Sequence, residues 1–290
     1  MKTIEDAKMM LENYGLSDCA NKIISHAKNA IYIELDDVAD ENDIPVGSSK
    51  IGGNPDLPNG VSWPKDEAND RWLSFLCQIN FKEVKPYDIE NKLPDKGMLF
   101  FFYDWSVDGS PWGYDPKDAS GKAVIYYDGD MSCLHRAEIP EKLKDEGYFA
   151  EPCRLSFEQR MDIPSTYSGI MDIIGLSPED SDKYYDVCEE FDEESVNKLL
   201  GHSNNIQGDM ELECELVANG LYCGDGTGYE EGAKRGLDKN VAHWNLLLQI
   251  DSYEDLGLMW GDCGRLYFWI TAEDLEARNF EKTWLILQCG

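Results

Sequence analysis

Two stretches of this sequence are built to one plan, and that repetition constrains the fold more than any single residue does. The first runs Trp72-Leu-Ser-Phe-Leu-Cys-Gln78-Ile-Asn80 and is followed by Gly97-Met-Leu-Phe-Phe-Phe102. The second runs Trp244-Asn-Leu-Leu-Leu-Gln249-Ile-Asp251 and is followed by Gly264-Arg-Leu-Tyr-Phe-Trp269. Each is an apolar run of strand length, rich in aromatic and aliphatic residues. A strand pair written twice predicts one mainly β domain with internal duplication of a strand-pair unit. The repeated residues belong to strand cores, so they speak to architecture and not to chemistry.

Side chains alternate along a strand, so Gln78 is expected to share a face with Leu76 and Asn80, and Gln249 with Leu247 and Asp251. A buried amide left without partners costs about 1–3 kcal/mol. Each glutamine is therefore expected to tie down a neighbouring loop backbone.

Thr3 and Ser17 cap two short helical patterns that make residues 1–30 a helical hairpin. Residues 31–165 read as a first β half, 166–200 as a helical connector and 201–290 as a second β half, all within a single domain spanning 1–290. Within the connector, Ser177-Pro178 opens one helix and Asp192 to Leu200 reads as another. The segment Leu200-Gly-His-Ser-Asn204 is placed where Ile51-Gly-Gly-Asn-Pro55 stands in the first half. The glycine-rich stretch from Gly220 to Gly236 reads as a surface loop, with acids beside it that would repel phosphate.

The loop Lys50-Ile-Gly-Gly-Asn-Pro-Asp-Leu-Pro through Trp63-Pro64, the strand Phe75-Leu-Cys-Gln-Ile-Asn80, the run Trp244 to Asp251, and Met259-Trp-Gly-Asp-Cys-Gly-Arg-Leu-Tyr-Phe-Trp-Ile270 together resemble the YwqG-like family, a bacterial domain of unknown function. The resemblance covers roughly residues 45–290. It implies a roll-like, mainly β fold with internal duplication and peripheral α-helices, and it brings no catalytic residues.

Charge is the outlier of the composition: 57 acidic against 26 basic residues give a formal net charge of −31. Such a field disfavours nucleic acid and anionic membrane surfaces as partners and favours a basic protein. No signal-peptide pattern or membrane-length apolar run is present, and nine scattered cysteines without a Cys-x-x-Cys fit a cytoplasmic chain. Four dispersed histidines give no metal-ligand spacing, there is no nucleophile elbow, and no cofactor is expected.

The densest functional signal is acidic. Glu179, Asp180, Asp182, Asp186, Glu189, Glu190, Asp192, Glu193 and Glu194 are interleaved with Tyr184 and Tyr185, a pattern of aromatic anchors within steering charge. This predicts a non-enzymatic cytoplasmic binding module, of the immunity or inhibitor type, for a basic partner. The competing expectation is a small-molecule-binding protein or hydrolase. Its pocket would lie between the halves and draw on Gln78, Trp105, Trp112, Gln249, Trp260 and Asp262.

Overall fold

The computed structural model describes residues 3–38, 40–106, 109–191, 196–239 and 241–290. In chain order the elements are α1 (Ile4–Asn13), α2 (Ser17–Ile24), β1 (Lys28–Val38), β2 (Lys50–Ile51), β3 (Asp56–Pro58), β4 (Lys65–Asp66), β5 (Arg71–Trp72), β6 (Ser74–Asn80), α3 (Phe81–Val84), β7 (Met98–Tyr103) and β8 (Lys122–Tyr127). They continue with β9 (Leu134–Arg136), α4 (Glu141–Glu146), β10 (Cys153–Asp162), α5 (Ile170–Ile174), α6 (Pro178–Phe191), β11 (Lys198–Leu200), α7 (Met210–Ala218), α8 (Thr227–Arg235), β12 (Trp244–Asp251), β13 (Arg265–Thr271), α9 (Ala272–Ala277) and β14 (Trp284–Gln288).

The fold is mixed α/β. Ten strands form one antiparallel sheet in the order β14-β13-β12-β11-β1-β10-β2-β6-β7-β8, with helices at its periphery. The sheet curls into a near-barrel, because apolar side chains of β6, β7 and β8 share one buried cluster with those of β12, β13 and β14. Phe101 of β7 meets Phe268 of β13 edge-on, with ring centroids 5.0 Å apart and planes at 71°. Such edge-to-face pairs add about 0.5–1.5 kcal/mol beyond the burial of their area.

The two outermost strands are protected. Leu287 of β14 donates its N–H to Trp112 O at 3.0 Å, and Trp284 Nε1 donates to Gly113 O at 2.9 Å, so a loop runs along an edge that would otherwise invite pairing. Gly113 has φ +93°, and a Cβ there would stand 2.1 Å from Leu285 O, so only glycine allows this approach. Across the gap, Lys122 Nζ of β8 donates to Glu281 O at 3.2 Å.

The convex face carries two covers. α7 and the Leu221–Leu237 stretch, in which α8 lies, pack over β12–β14, and the β3–β9 ribbon with Trp63 packs over β6–β8. The hairpin α1–α2 joins α5 and α6 in a helical lobe held by Leu11, Ile23, Ile163, Tyr184 and Val187.

Three local expectations change. Residues 198–200 are a strand inserted between β1 and β12 and not the end of a helix. The stretch Gly220–Gly236 contains α8, whose glycines serve close packing: a Cβ on Gly232 would lie 2.1 Å from Leu216 Cδ2 of α7. Both repeated strands also carry a bulge, between Phe75 and Cys77 and between Leu246 and Leu248. The extra residues, Leu76 and Leu247, turn into the concave core beside Ile79 and Ile250. The glutamines thus share the convex face with Phe75 and Leu246, because a bulge interrupts the period-two alternation.

Candidate functional site

The glutamines sit in two matching clasps. Gln78 of β6 lies opposite Lys50 of β2, and Gln249 of β12 lies opposite Lys198 of β11. Gln78 Oε1 accepts the Asp56 N–H at 2.7 Å, while its Nε2 donates to Ser48 O and Asp56 Oδ2. Gln249 Oε1 accepts the Asn204 N–H at 2.9 Å, while its Nε2 donates to Val196 O and Asn204 Oδ1. The Asn80 N–H goes to Ser49 Oγ at 2.8 Å, and the Asp251 N–H goes to Asn197 Oδ1 at 2.7 Å. Both amides are wholly buried and committed to loop backbone. Gln78→Ala and Gln249→Ala should each lower stability by about 1–3 kcal/mol, since each strands one N–H and one C=O. Urea midpoints would check this, and a loss from one clasp without the other would break the parallel between them.

Of the six pocket residues, Gln78 and Gln249 lie apart from Trp105 and Trp260. Trp260 belongs to the concave core, meets Trp105 with ring centroids 5.1 Å apart and planes tilted by 57°, and donates Nε1–H to Asp251 O at 3.1 Å. Trp112 lies against Gly261, and Asp262 is exposed with its carbonyl accepting the Gly290 N–H at 3.3 Å. The sheet therefore stands between Trp260 and Trp105 in the concave core and the convex-face glutamines, a consequence of the bulges.

The buried ionic groups are ones the sequence does not flag. Lys50 Nζ reaches Glu41 Oε1 at 2.5 Å and Asp56 Oδ1 at 3.8 Å, and burial pulls its pKa down. Lys198 Nζ reaches Asp162 Oδ2 at 2.7 Å and the Tyr32 hydroxyl at 3.2 Å. The Tyr32 hydroxyl itself donates to Asp162 Oδ1 at 2.6 Å. At the start of α7, burial with Asp209 alongside pushes the Glu211 carboxyl up to about 8, and burial pushes Glu213 up to about 7. A signal for the two lysines does exist, because Ser49-Lys-Ile-Gly-Gly53 and Asn197-Lys-Leu-Leu-Gly201 share Lys and Gly at the same spacing.

The acidic helix α6 is the remaining candidate. Ser177 caps it, accepting the Asp180 N–H at 3.1 Å while its hydroxyl donates to Asp180 Oδ2. Lys183 is held by Glu179 at 2.8 Å and Asp180 at 3.7 Å, and Glu190 accepts the hydroxyl of Tyr14, just past the end of α1. Tyr184 points into the lobe, fully buried, with its hydroxyl on Pro164 O at 2.7 Å. It is thus a packing residue, where the sequence suggests a partner contact. Tyr185 is 43% exposed, and the Glu189 carboxylate beside it raises its pKa. Asp182, Asp186 and Glu189 face solvent. Asp192, Glu193 and Glu194 lie outside the described residues. An open cleft of about 470 Å³ runs between α5 and α6, lined among others by Tyr167, Asp172, Asp182, Tyr184 and Tyr185. The sequence does not point to Tyr167 or Asp172, which stand outside the acidic run and come to it only through the packing of α5 on α6.

Among the described residues no group of three or more His, Cys, Asp or Glu could hold a metal ion, and no helix is long and apolar enough to cross a membrane. A family model described as "Domain of unknown function (DUF1963)" matches residues 49–289. No curated protein matches the chain.

Proposed function

This chain belongs to the DUF1963 family, and we propose that it is a non-enzymatic cytoplasmic module whose α5–α6 face binds a basic protein, as an inhibitor-type protein would. The observation that carries this reading is the coincidence of the cleft with the acidic, tyrosine-bearing helix: Asp182 and Tyr185 line it, with Asp186 and Glu189 exposed on the same helix. A net charge of −31 adds long-range attraction for a cationic surface. None of the nine cysteines is in a disulfide, which suits a reducing compartment.

The same reading takes the β roll as scaffold. The two clasps, with a lysine opposite each glutamine and a bulge two residues before it, support descent of the halves from one duplicated strand-pair unit. Their polar groups are spent on loop backbone, which leaves recognition to the helical lobe.

Titrating the purified chain with hexalysine at about 50 mM and about 300 mM salt tests the reading, because exposed charge pairing weakens as the Debye length shrinks. Binding at the lower concentration should fall at the higher, and should fall again when Asp182→Asn, Asp186→Asn and Glu189→Gln are combined. No binding, or binding indifferent to both salt and the three substitutions, would refute it.

A further inference from the structure

We infer that the cleft between α5 and α6 seats a single arginine side chain of the partner; this rests on the basic-partner reading above. Tyr167 and Tyr185 line the cleft and stay 48% and 43% exposed. Two half-exposed tyrosine rings in an acidic setting match a cation that stacks on aromatics, which guanidinium does better than ammonium. Asp172 lines the cleft from α5 and Asp182 from α6, so a carboxylate stands on either wall for a planar fork of N–H donors. Met171 and Leu176 supply apolar surface for the aliphatic stem of the side chain.

The walls are already fixed in place. Tyr184 beneath them is immobilised by burial and by its bond to Pro164 O. Lys22 Nζ donates to Ile174 O at the end of α5, tying that short helix to α2. Lys183, the basic residue of α6, is held by Glu179 and Asp180 and so does not neutralise the cleft from within. A volume of about 470 Å³ exceeds one arginine side chain, leaving room for part of a flanking residue.

The experiment compares labelled hexaarginine with hexalysine against the full chain by fluorescence anisotropy at about 300 mM salt, where diffuse surface attraction is weakened. Hexaarginine should bind the more tightly. Tyr167→Ala and Tyr185→Ala should each weaken it about fivefold, the scale of one cation–π contact. Tyr185→Phe should keep the affinity, since the ring face remains. Asp172→Asn should weaken hexaarginine more than hexalysine, and thermal melts would verify that every variant folds. Equal affinity for the two peptides, or tyrosine variants without effect, would overturn the arginine seat. If both peptides still lose affinity on neutralising α6, the basic-partner reading survives that failure. Absence of binding by either peptide at any salt would remove both.

Discussion

Asp162→Ala is expected to cost about 3–5 kcal/mol of stability, the range for breaking a buried ion pair from one side. The wholly buried Asp162 carboxylate, at the end of β10, accepts the Tyr32 hydroxyl at 2.6 Å, Lys198 Nζ at 2.7 Å and the His202 N–H at 3.1 Å. Removing it leaves an ammonium that is 1% exposed with the Tyr32 hydroxyl as its remaining hydrogen-bond partner. It also strands the N–H of His202 on the loop that leaves β11. β11, β1 and β10 are adjacent strands, so the damage falls where the two halves of the sheet are stitched together. Adding Lys198→Met to Asp162→Ala should recover much of the loss, because the unpaired charge goes with it. Guanidinium unfolding of the three variants reads this directly. A cost under about 1 kcal/mol for Asp162→Ala would show that the pair is solvated or dispensable.

Phe268→Ala should cost about 3–5 kcal/mol, as large core truncations of aromatic residues do. Phe268 has no exposed surface and meets Phe101 across the interior of the roll. Its removal opens a cavity between strands from opposite ends of the sheet, which cannot relax without moving the curl itself. Phe101→Ala combined with it should fall short of additivity, since the two rings share one contact. Strict additivity in the double-mutant cycle would mean that the two ends of the curled sheet do not pack on each other there.

The strand pairs were legible in the sequence because β6–β7 and β12–β13 are hydrophobic runs closed by Asn80 and Asp251. The curl that sets them face to face was not, since it depends on contacts such as Phe101–Phe268 between residues far apart in the chain. The sequence match of Leu200-Gly201 to Ile51-Gly52 is off by one residue from the match that strand pairing makes. Lys198, and not Leu199, stands opposite Gln249 as Lys50 stands opposite Gln78, which sets Leu200 at the place in its clasp that Gly52 has in the other. Leu200 has φ +60° and Gly52 φ +64°. A leucine in a conformation that glycine adopts freely hides the match from any reading by residue type. Trp72 likewise is no counterpart of Trp244: it pairs with Lys65 in the small β4–β5 hairpin, outside the main sheet.

The candidate site was partly legible. A run of acids with tyrosines marks α6, and helical periodicity alone explains why Tyr184 and Tyr185 must point apart. Tyr167 and Asp172 entered only with the tertiary packing of α5. The buried ionisable groups of Lys50, Lys198 and Glu211 escaped because an ionisable residue in sequence reads as a solvated charge, and only the partner that packs over it says otherwise.

Amide hydrogen exchange of the full chain, with and without saturating hexaarginine, tests the central claim most directly. Slowed exchange confined to residues 166–191 is the result expected if the helical lobe is the binding face. Protection centred on the β12–β13 connection around Trp260 and Asp262, or none above background with the peptide bound, would contradict it.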